Sequence, residues 1–113
     1  MGLDVLSQQP YPCIEMKLSF RNKDLDRLET DSRFDNGLGQ AIVKAFRKRM
    51  QTIRAAQDER VFYALKSLHF EQLKGERRGQ FSMRLNDQWR LVLEFDGVGT
   101  DKTVIVVSIE DYH

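Results

Sequence analysis

The chain of 113 residues holds one cysteine, Cys13, so no disulfide can form within it, and such cysteine usage fits a reducing compartment. Its two histidines, His69 and His113, are separated by much of the chain and match no zinc-ligand spacing, so no metal and no cofactor is expected. No apolar run approaches the ~20 residues that cross a bilayer, and the first residues lack the basic start and long apolar stretch of a secretion signal. Glycine patterns that cradle nucleotides are missing, as is a G-x-S-x-G nucleophile elbow. There are no repeats, no low-complexity tract and no linker. The reading is therefore a cytoplasmic protein with no membrane association.

Hydrophobic residues make up 41% and charged residues 31%, a globular balance. The length suits one domain, able to bury roughly two thirds of the surface its unfolded form exposes. Net charge is only +1, yet its distribution is uneven. Lys44, Arg47, Lys48, Arg49 and Arg54 stand in one stretch without an acid, and Lys74, Arg77, Arg78, Arg84 and Arg90 in another with few. Acids gather at Asp24 to Asp35 and again after Glu94. A nearly neutral protein can carry a basic face in this way, although for residues 44–54 alone a solvated helix surface is the better reading.

Both prolines fall within residues 1–13, which show no periodicity and read as an extension; a single domain is expected over residues 14–113. Apolar Ile14, Met16, Leu18 and Phe20 alternate with polar residues, predicting a half-buried strand. Leu25 and Leu28 mark a short helix within Arg21 to Asp31, and Asn36-Gly37 a turn. From Gln40 to Ala56 the set Ile42, Val43, Phe46, Met50 and Ile53 has helical spacing, with Lys44, Arg47, Lys48 and Arg54 off that stripe. A third helix is expected over about Asp58 to Ser67, with Val61, Phe62 and Leu65 inward. Beyond Gly75 and Gly79 the period returns to two. Phe81, Met83 and Leu85 precede a turn at Asn86-Asp87-Gln88, then Trp89, Leu91, Leu93 and Phe95 alternate with Arg90, Val92 and Glu94. Asp96 to Thr100 makes a second turn, and the near-continuous apolar run Thr103 to Ile109 predicts an inner strand covered on both faces. The class is α+β: an N-terminal strand and a helical hairpin packed on one face of a mainly antiparallel sheet, completed by a C-terminal three-strand meander.

Metal-free cleavage of RNA needs little from a protein. The 2′-hydroxyl is the nucleophile; a base must take its proton, an acid must protonate the leaving 5′-oxygen, and cations must balance charge on the phosphorus. Lys74, Arg78, Arg84 and Arg90 are candidates for phosphate, and Asp111, Tyr112 and His113 for proton transfer, His113 being the natural acid or base. In an extended strand Asp111 and His113 share a face and Tyr112 points away, free to stack on a base. Each has a plainer reading. Arg84 and Arg90 serve equally as solvent-facing strand residues, His69 as a partly buried structural histidine, and Trp89 as core. Lys74 can converge with residues 111–113 only if the last strand pairs beside the one that Gly79-Gln80 opens.

The stretch LKGERRGQFSMRLNDQWRLVL (residues 73–93), the ending EDYH (residues 110–113) and the opening IEMKLSFRNKDLDRL (residues 14–28) resemble the HigB branch of the RelE/ParE toxins. That resemblance implies a RelE-like fold and a type II toxin that cuts messenger RNA in the ribosomal A site. It implies a partner, a HigA-like helix-turn-helix antitoxin, and contact with ribosomal RNA, for which Lys44, Arg47 and Lys48 are candidates. It assigns Lys74 to the phosphate, and Asp111, Tyr112 and His113 to orienting RNA and moving protons. Where some members carry a catalytic histidine, three residues before the motif lysine, this chain has Glu71, a base of different strength; His69 lies two residues earlier, a displacement of about 6–7 Å on a strand. The alternatives are a ParE-like gyrase inhibitor needing no terminal histidine, and an inactive antitoxin-binding remnant.

Overall fold

The computed structural model describes residues 16–97 and 102–111. The expected extension, Ile14 and Glu15 of the first strand, much of the Asp96–Thr100 turn, and Tyr112 and His113 lie outside these residues. Strand β1, Lys17–Phe20, leads into helix α1, Lys23–Thr30, whose first turn is capped by Asn22 Oδ1 accepting from the Leu25 amide at 3.0 Å. Such a cap is worth about 1 kcal/mol. The predicted apolar pair, Leu25 and Leu28, is buried.

A loop then reverses the chain. Asn36 and Gly37 both take positive φ, 52° and 75°, the turn conformation that Asn-Gly favours. Helix α2, Gln40–Ala55, follows with the predicted stripe Ile42, Val43, Phe46, Met50 and Ile53 buried. Phe46, Met50 and Ile53 are fully enclosed, each contributing about 1.5–3 kcal/mol of apolar burial. Helices α1 and α2 form the hairpin. The Arg54 guanidinium pairs with Glu29 across it at 2.7 Å, and Arg47 donates to the Leu28 and Asp31 carbonyls at 2.8 Å, closing the carboxyl end of α1.

The third helix is shorter than its spacing suggests. Helix α3 is Arg60–Ala64, and a separate 3₁₀ turn, Lys66–Leu68, follows. Phe62 is buried and Val61 half-buried, but Leu65 is exposed rather than inward, because the helix ends before it. Phe70 then stacks against Phe81 at 5.4 Å between ring centres and meets Phe62, extending the core under the sheet's far edge.

The sheet has the order β1-β5-β4-β3-β2. Strand β2, Glu71–Gln72, was not anticipated, since two residues carry no period; it pairs antiparallel with β3, Gln80–Arg84. The meander continues through β4, Trp89–Asp96, to β5, Thr103–Asp111, and β1 joins β5 in parallel. At the β3–β4 turn Asn86 Oδ1 accepts from the Gln88 and Trp89 amides at 2.9 and 2.8 Å. Strand β5 is inner by position, but its core-facing residues, Val104 and Val106, alternate with half-buried Ile105 and Val107, so one face of it is fully covered. A register shift at Val92/Leu93 leaves Val107 without a cross-strand partner. This bulge flips the parity of β5. Val104 and Val106 face the helices before it and Ile109 after it, which turns Ser108 and Glu110 to the open face. Among the described residues no helix is long and apolar enough to cross a membrane.

Candidate functional site

The open face of the sheet sets two like charges opposite each other. Arg84 on β3 is the direct partner of Arg90 on β4. Such a pair is repulsive in a sheet, by roughly 0.2–1 kcal/mol, unless each cation has its own partners. Arg90 is buried, its side chain only 10% exposed, and its Nη2 donates to the His69 carbonyl and to Ser82 Oγ, both at 2.7 Å. Ser82 is itself buried on the same face. The Glu71 carboxylate, on β2 opposite Ser82, lies 3.7 Å from the same nitrogen and is half exposed. Arg84 stands further out, pairs with Asp87 from the turn, and brings Nη1 to 3.5 Å from His69 Nε2. Neither arginine is an idle strand residue.

Two further groups hold this cluster. Arg49 of α2 reaches the end of β3 and donates to the Arg84 carbonyl at 2.8 Å. Burial, then the nearby Arg84 guanidinium, lowers the Arg49 pKa from its ordinary value, though an arginine so placed stays charged. His69 is exposed, not partly buried as its apolar neighbours suggested. It takes a left-handed conformation, φ 48° and ψ 46°, which reverses the chain between the 3₁₀ turn and β2. Leu68 and Phe70 are buried on either side, so the imidazole alone is left outward. A carboxylate beside a buried, fixed guanidinium, with a second guanidinium on the neighbouring strand, suits a phosphodiester: the cations meet the phosphate and the carboxylate can accept a proton.

The basic lead-in sits apart from this cluster. Lys74 and Arg78 are exposed, and among the described residues neither side chain has an ion-pair partner. Gly75 and Gly79, at φ 69° and 103°, bracket a 3₁₀ turn, Gly75–Arg77. The Leu73 amide bonds to the Gln80 carbonyl, placing Lys74 at the start of β3. Asp111 pairs with Trp89, past the other end of β3. The condition for their convergence, pairing of the last strand with the one that Gly79-Gln80 opens, is not met, because β4 lies between β3 and β5. Along β3 alone the two positions are four residues or about 13 Å apart.

A side chain bridges them instead. Arg77 forks onto both carboxylate oxygens of Glu110 at 2.7 Å, crossing the open face above β3 and β4, and its Nε donates to Gln80. Gln80 in turn donates to Glu94, which also pairs with Arg21. Beside these residues is a cleft of about 660 Å³, lined by Arg77, Arg78, Gln80, Glu94, Val107 and Glu110. The Arg77 hydrogen bonds hold the Glu110 carboxyl below its ordinary value, with burial opposing and Ser108 adding a bond. Neither Arg77 nor Glu110 was a candidate on sequence grounds; their neighbours in the lead-in and in the EDYH ending were the available signal.

The remaining candidates are dispersed. The Asp111 carboxylate accepts from Gln88 Nε2 at 3.0 Å, and the pleat sets this residue on the helix side of the sheet with Trp89. Lys44 and Lys48 are exposed on α2 and line a groove of about 960 Å³ with Gln40 and Gln51. Arg47 borders that groove, but its guanidinium is engaged by the carbonyls that end α1.

Comparison with known proteins agrees with this architecture. The pattern of the family described as RelE-like toxin of type II toxin-antitoxin system HigB matches residues 18–113. Toxin HigB-1 of Vibrio cholerae is 31% identical over 84 residues, covering 74% of this chain and 88% of the relative. Among solved structures, a YoeB/ParE toxin from Agrobacterium tumefaciens superposes with a TM-score of 0.57 at 20% identity, over 87% of this chain and 100% of that one. A YoeB-YefM complex from Staphylococcus aureus gives 0.54 at 19% identity, over 87% and 97%. These two show a shared fold. With the family pattern spanning the sheet and both hairpin helices, the chain belongs to the RelE-like HigB toxins of type II toxin-antitoxin systems.

Proposed function

We propose that this toxin is a ribosome-dependent endoribonuclease that cuts messenger RNA in the A site without a metal ion, and that a helix-turn-helix antitoxin neutralises it. The observation that carries the reading is Glu71 at 3.7 Å from Arg90, with Arg84 directly opposite on the neighbouring strand. Glu71 takes the proton of the 2′-hydroxyl. The 2′-oxygen attacks the adjacent phosphorus, the bond to the 5′-oxygen breaks, and a 2′,3′-cyclic phosphate and a 5′-hydroxyl result. Arg84 and Arg90 balance the charge that builds on the phosphoryl oxygens, and the buried fork of Arg90 keeps its nitrogen fixed while that happens. His113 supplies the proton to the leaving oxygen and Tyr112 stacks on a base, while Asp111, bonded to Gln88 on the helix side of the sheet, holds the strand end that carries them. Lys74 and Arg78 follow the flanking phosphates.

Lys44 and Lys48, joined by Arg47, contact ribosomal RNA through the exposed side of α2, a cation cluster suited to phosphate. The antitoxin follows from the family, and the Staphylococcus aureus neighbour was solved as a YoeB-YefM complex. The site of action is the cytoplasm, and residues 14–113 form the toxin unit. The test is expression with and without the antitoxin, followed by mapping of messenger 5′ ends. Growth arrest with new 5′ ends inside coding regions, lost together in Glu71→Gln, is expected. Arrest with intact messenger and damaged DNA would instead indicate gyrase inhibition, and no arrest an inactive remnant.

A further inference from the structure

We propose that His69 is a positioning residue of the cutting site, setting Arg84 with its ring and Arg90 with its backbone carbonyl; the inference rests on the ribonuclease reading above. A residue with a Cβ rarely adopts φ 48°, and such strain persists where the surroundings hold it. Here the holders are visible. The His69 amide donates to the Lys66 carbonyl at 3.1 Å, its own carbonyl accepts from Arg90 Nη2 at 2.7 Å, and both flanking side chains are buried. The left-handed reversal has two consequences. It aims the His69 carbonyl at the buried arginine, and it starts β2 so that Glu71 falls opposite Ser82 on the open face.

The ring acts on the outer arginine. Arg84 is 35% exposed, and its Nη2 is taken by Asp87, a turn residue whose side chain is 94% exposed. One mobile partner leaves a long side chain free to swing. The imidazole stands on the other side, Nε2 at 3.5 Å from Nη1. A guanidinium carries only N–H donors, so a hydrogen bond between them requires the ring to present the Nε2 lone pair, with its proton on Nδ1. His69 and Asp87 thus bracket Arg84 from the two sides, and His69 holds both cations of the site, one through its ring and one through its carbonyl. No contact of the ring with RNA is required, which separates this role from that of a displaced catalytic base.

The experiment uses the full chain, purified away from its antitoxin, on ribosomes programmed with a defined messenger. His69→Gly takes the left-handed backbone without strain, so it keeps the fold and the carbonyl while removing the ring. Its kcat is expected to fall about tenfold to a hundredfold, the effect of misplacing a transition-state contact, while KM changes about twofold or less. His69→Gln offers an amide oxygen near the place of Nε2 and is expected to restore most of the lost rate. Ring-nitrogen NMR of the wild type should show the Nδ1–H tautomer for His69. A glycine variant as fast as wild type, a glutamine variant no better than glycine, or an Nε2–H tautomer would each overturn the assignment. Glu71→Gln is measured alongside: if it abolishes cutting and His69→Gly does not, the positioning role alone is wrong. If the wild type leaves the messenger intact, the ribonuclease reading fails and the positioning role with it.

Discussion

Replacing Arg90 by methionine tests the reading of the open face through stability and activity at once. Methionine keeps most of the aliphatic volume and removes the charge. The change deletes two hydrogen bonds from a charged donor, to the His69 carbonyl and to Ser82 Oγ. Bonds of that kind contribute about 1.5–3 kcal/mol each, so the gross loss is about 3–6 kcal/mol. Two effects offset it. The repulsion from Arg84 directly opposite disappears, worth about 0.2–1 kcal/mol. A cation whose side chain is 10% exposed no longer has to be desolvated, which returns several kcal/mol in comparable buried pairs. These offsets are of the same order as the gross loss, so the net destabilisation is no more than about 3 kcal/mol. For a domain of this size it lowers Tm by about 4 °C or more per kcal/mol. Thermal unfolding followed by circular dichroism reads the first quantity, and messenger cleavage at a temperature well below the new Tm reads the second. Cleavage is expected to fall about a hundredfold to a thousandfold, the range for losing a fixed donor to a transition-state oxyanion. A variant as stable as wild type and cutting at the same rate would refute both the anchoring and the electrostatic role of Arg90.

The clamp across the open face gives a pH signature. Glu110 has its carboxyl lowered by the Arg77 fork, so the pair stabilises the fold above the ordinary glutamate range and the contribution is lost as pH falls through the lowered folded value. Because the partners are 45% and 37% exposed, the effect is at most about 1 kcal/mol. The Tm deficit of Arg77→Gln is therefore expected at neutral pH and should close on acidification; a deficit independent of pH would show that the ion pair is not its source. On α2, Arg47→Met should lower stability by about 1–3 kcal/mol, since two carbonyls at the end of α1 lose their donor. Lys44→Gln with Lys48→Gln should leave Tm nearly unchanged but flatten the salt dependence of ribosome binding by about two charges, read from binding measured over a salt series. Asn86→Ala should cost about 1 kcal/mol in denaturant unfolding by freeing the Gln88 and Trp89 amides.

Periodicity made the helices and the meander legible where one face alone is buried. The five apolar positions of α2 could point only one way, and Asn36-Gly37 and Asn86-Asp87-Gln88 announced their turns. What escaped depends on contacts between distant residues. Arg90 occupies a polar position in the alternation of β4, and its burial follows from partners 8 and 21 residues away. The bulge at Val107 hides inside an apolar run, where no change of residue type marks a change of parity, so the turning of Glu110 towards Arg77 was invisible. The convergence of Lys74 with the last strand fails for a related reason. A meander of short turns fixes neighbours, β3 with β4 and β4 with β5, and forbids the pairing of β3 with β5 that would have joined Lys74 to the last strand. Glu71 entered through family likeness, and its β2 setting beside Arg90 could not be read from two residues of strand.

The central claim is that the Glu71, Arg84 and Arg90 face cuts messenger RNA through the RNA's own 2′-hydroxyl. The most direct measurement is the end chemistry of messenger cut on purified ribosomes, wild type against Glu71→Gln. The account predicts 5′-hydroxyl and 2′,3′-cyclic phosphate ends with wild type and uncut messenger with Glu71→Gln. Ends bearing 5′-phosphate, or undiminished cutting by Glu71→Gln, would contradict it.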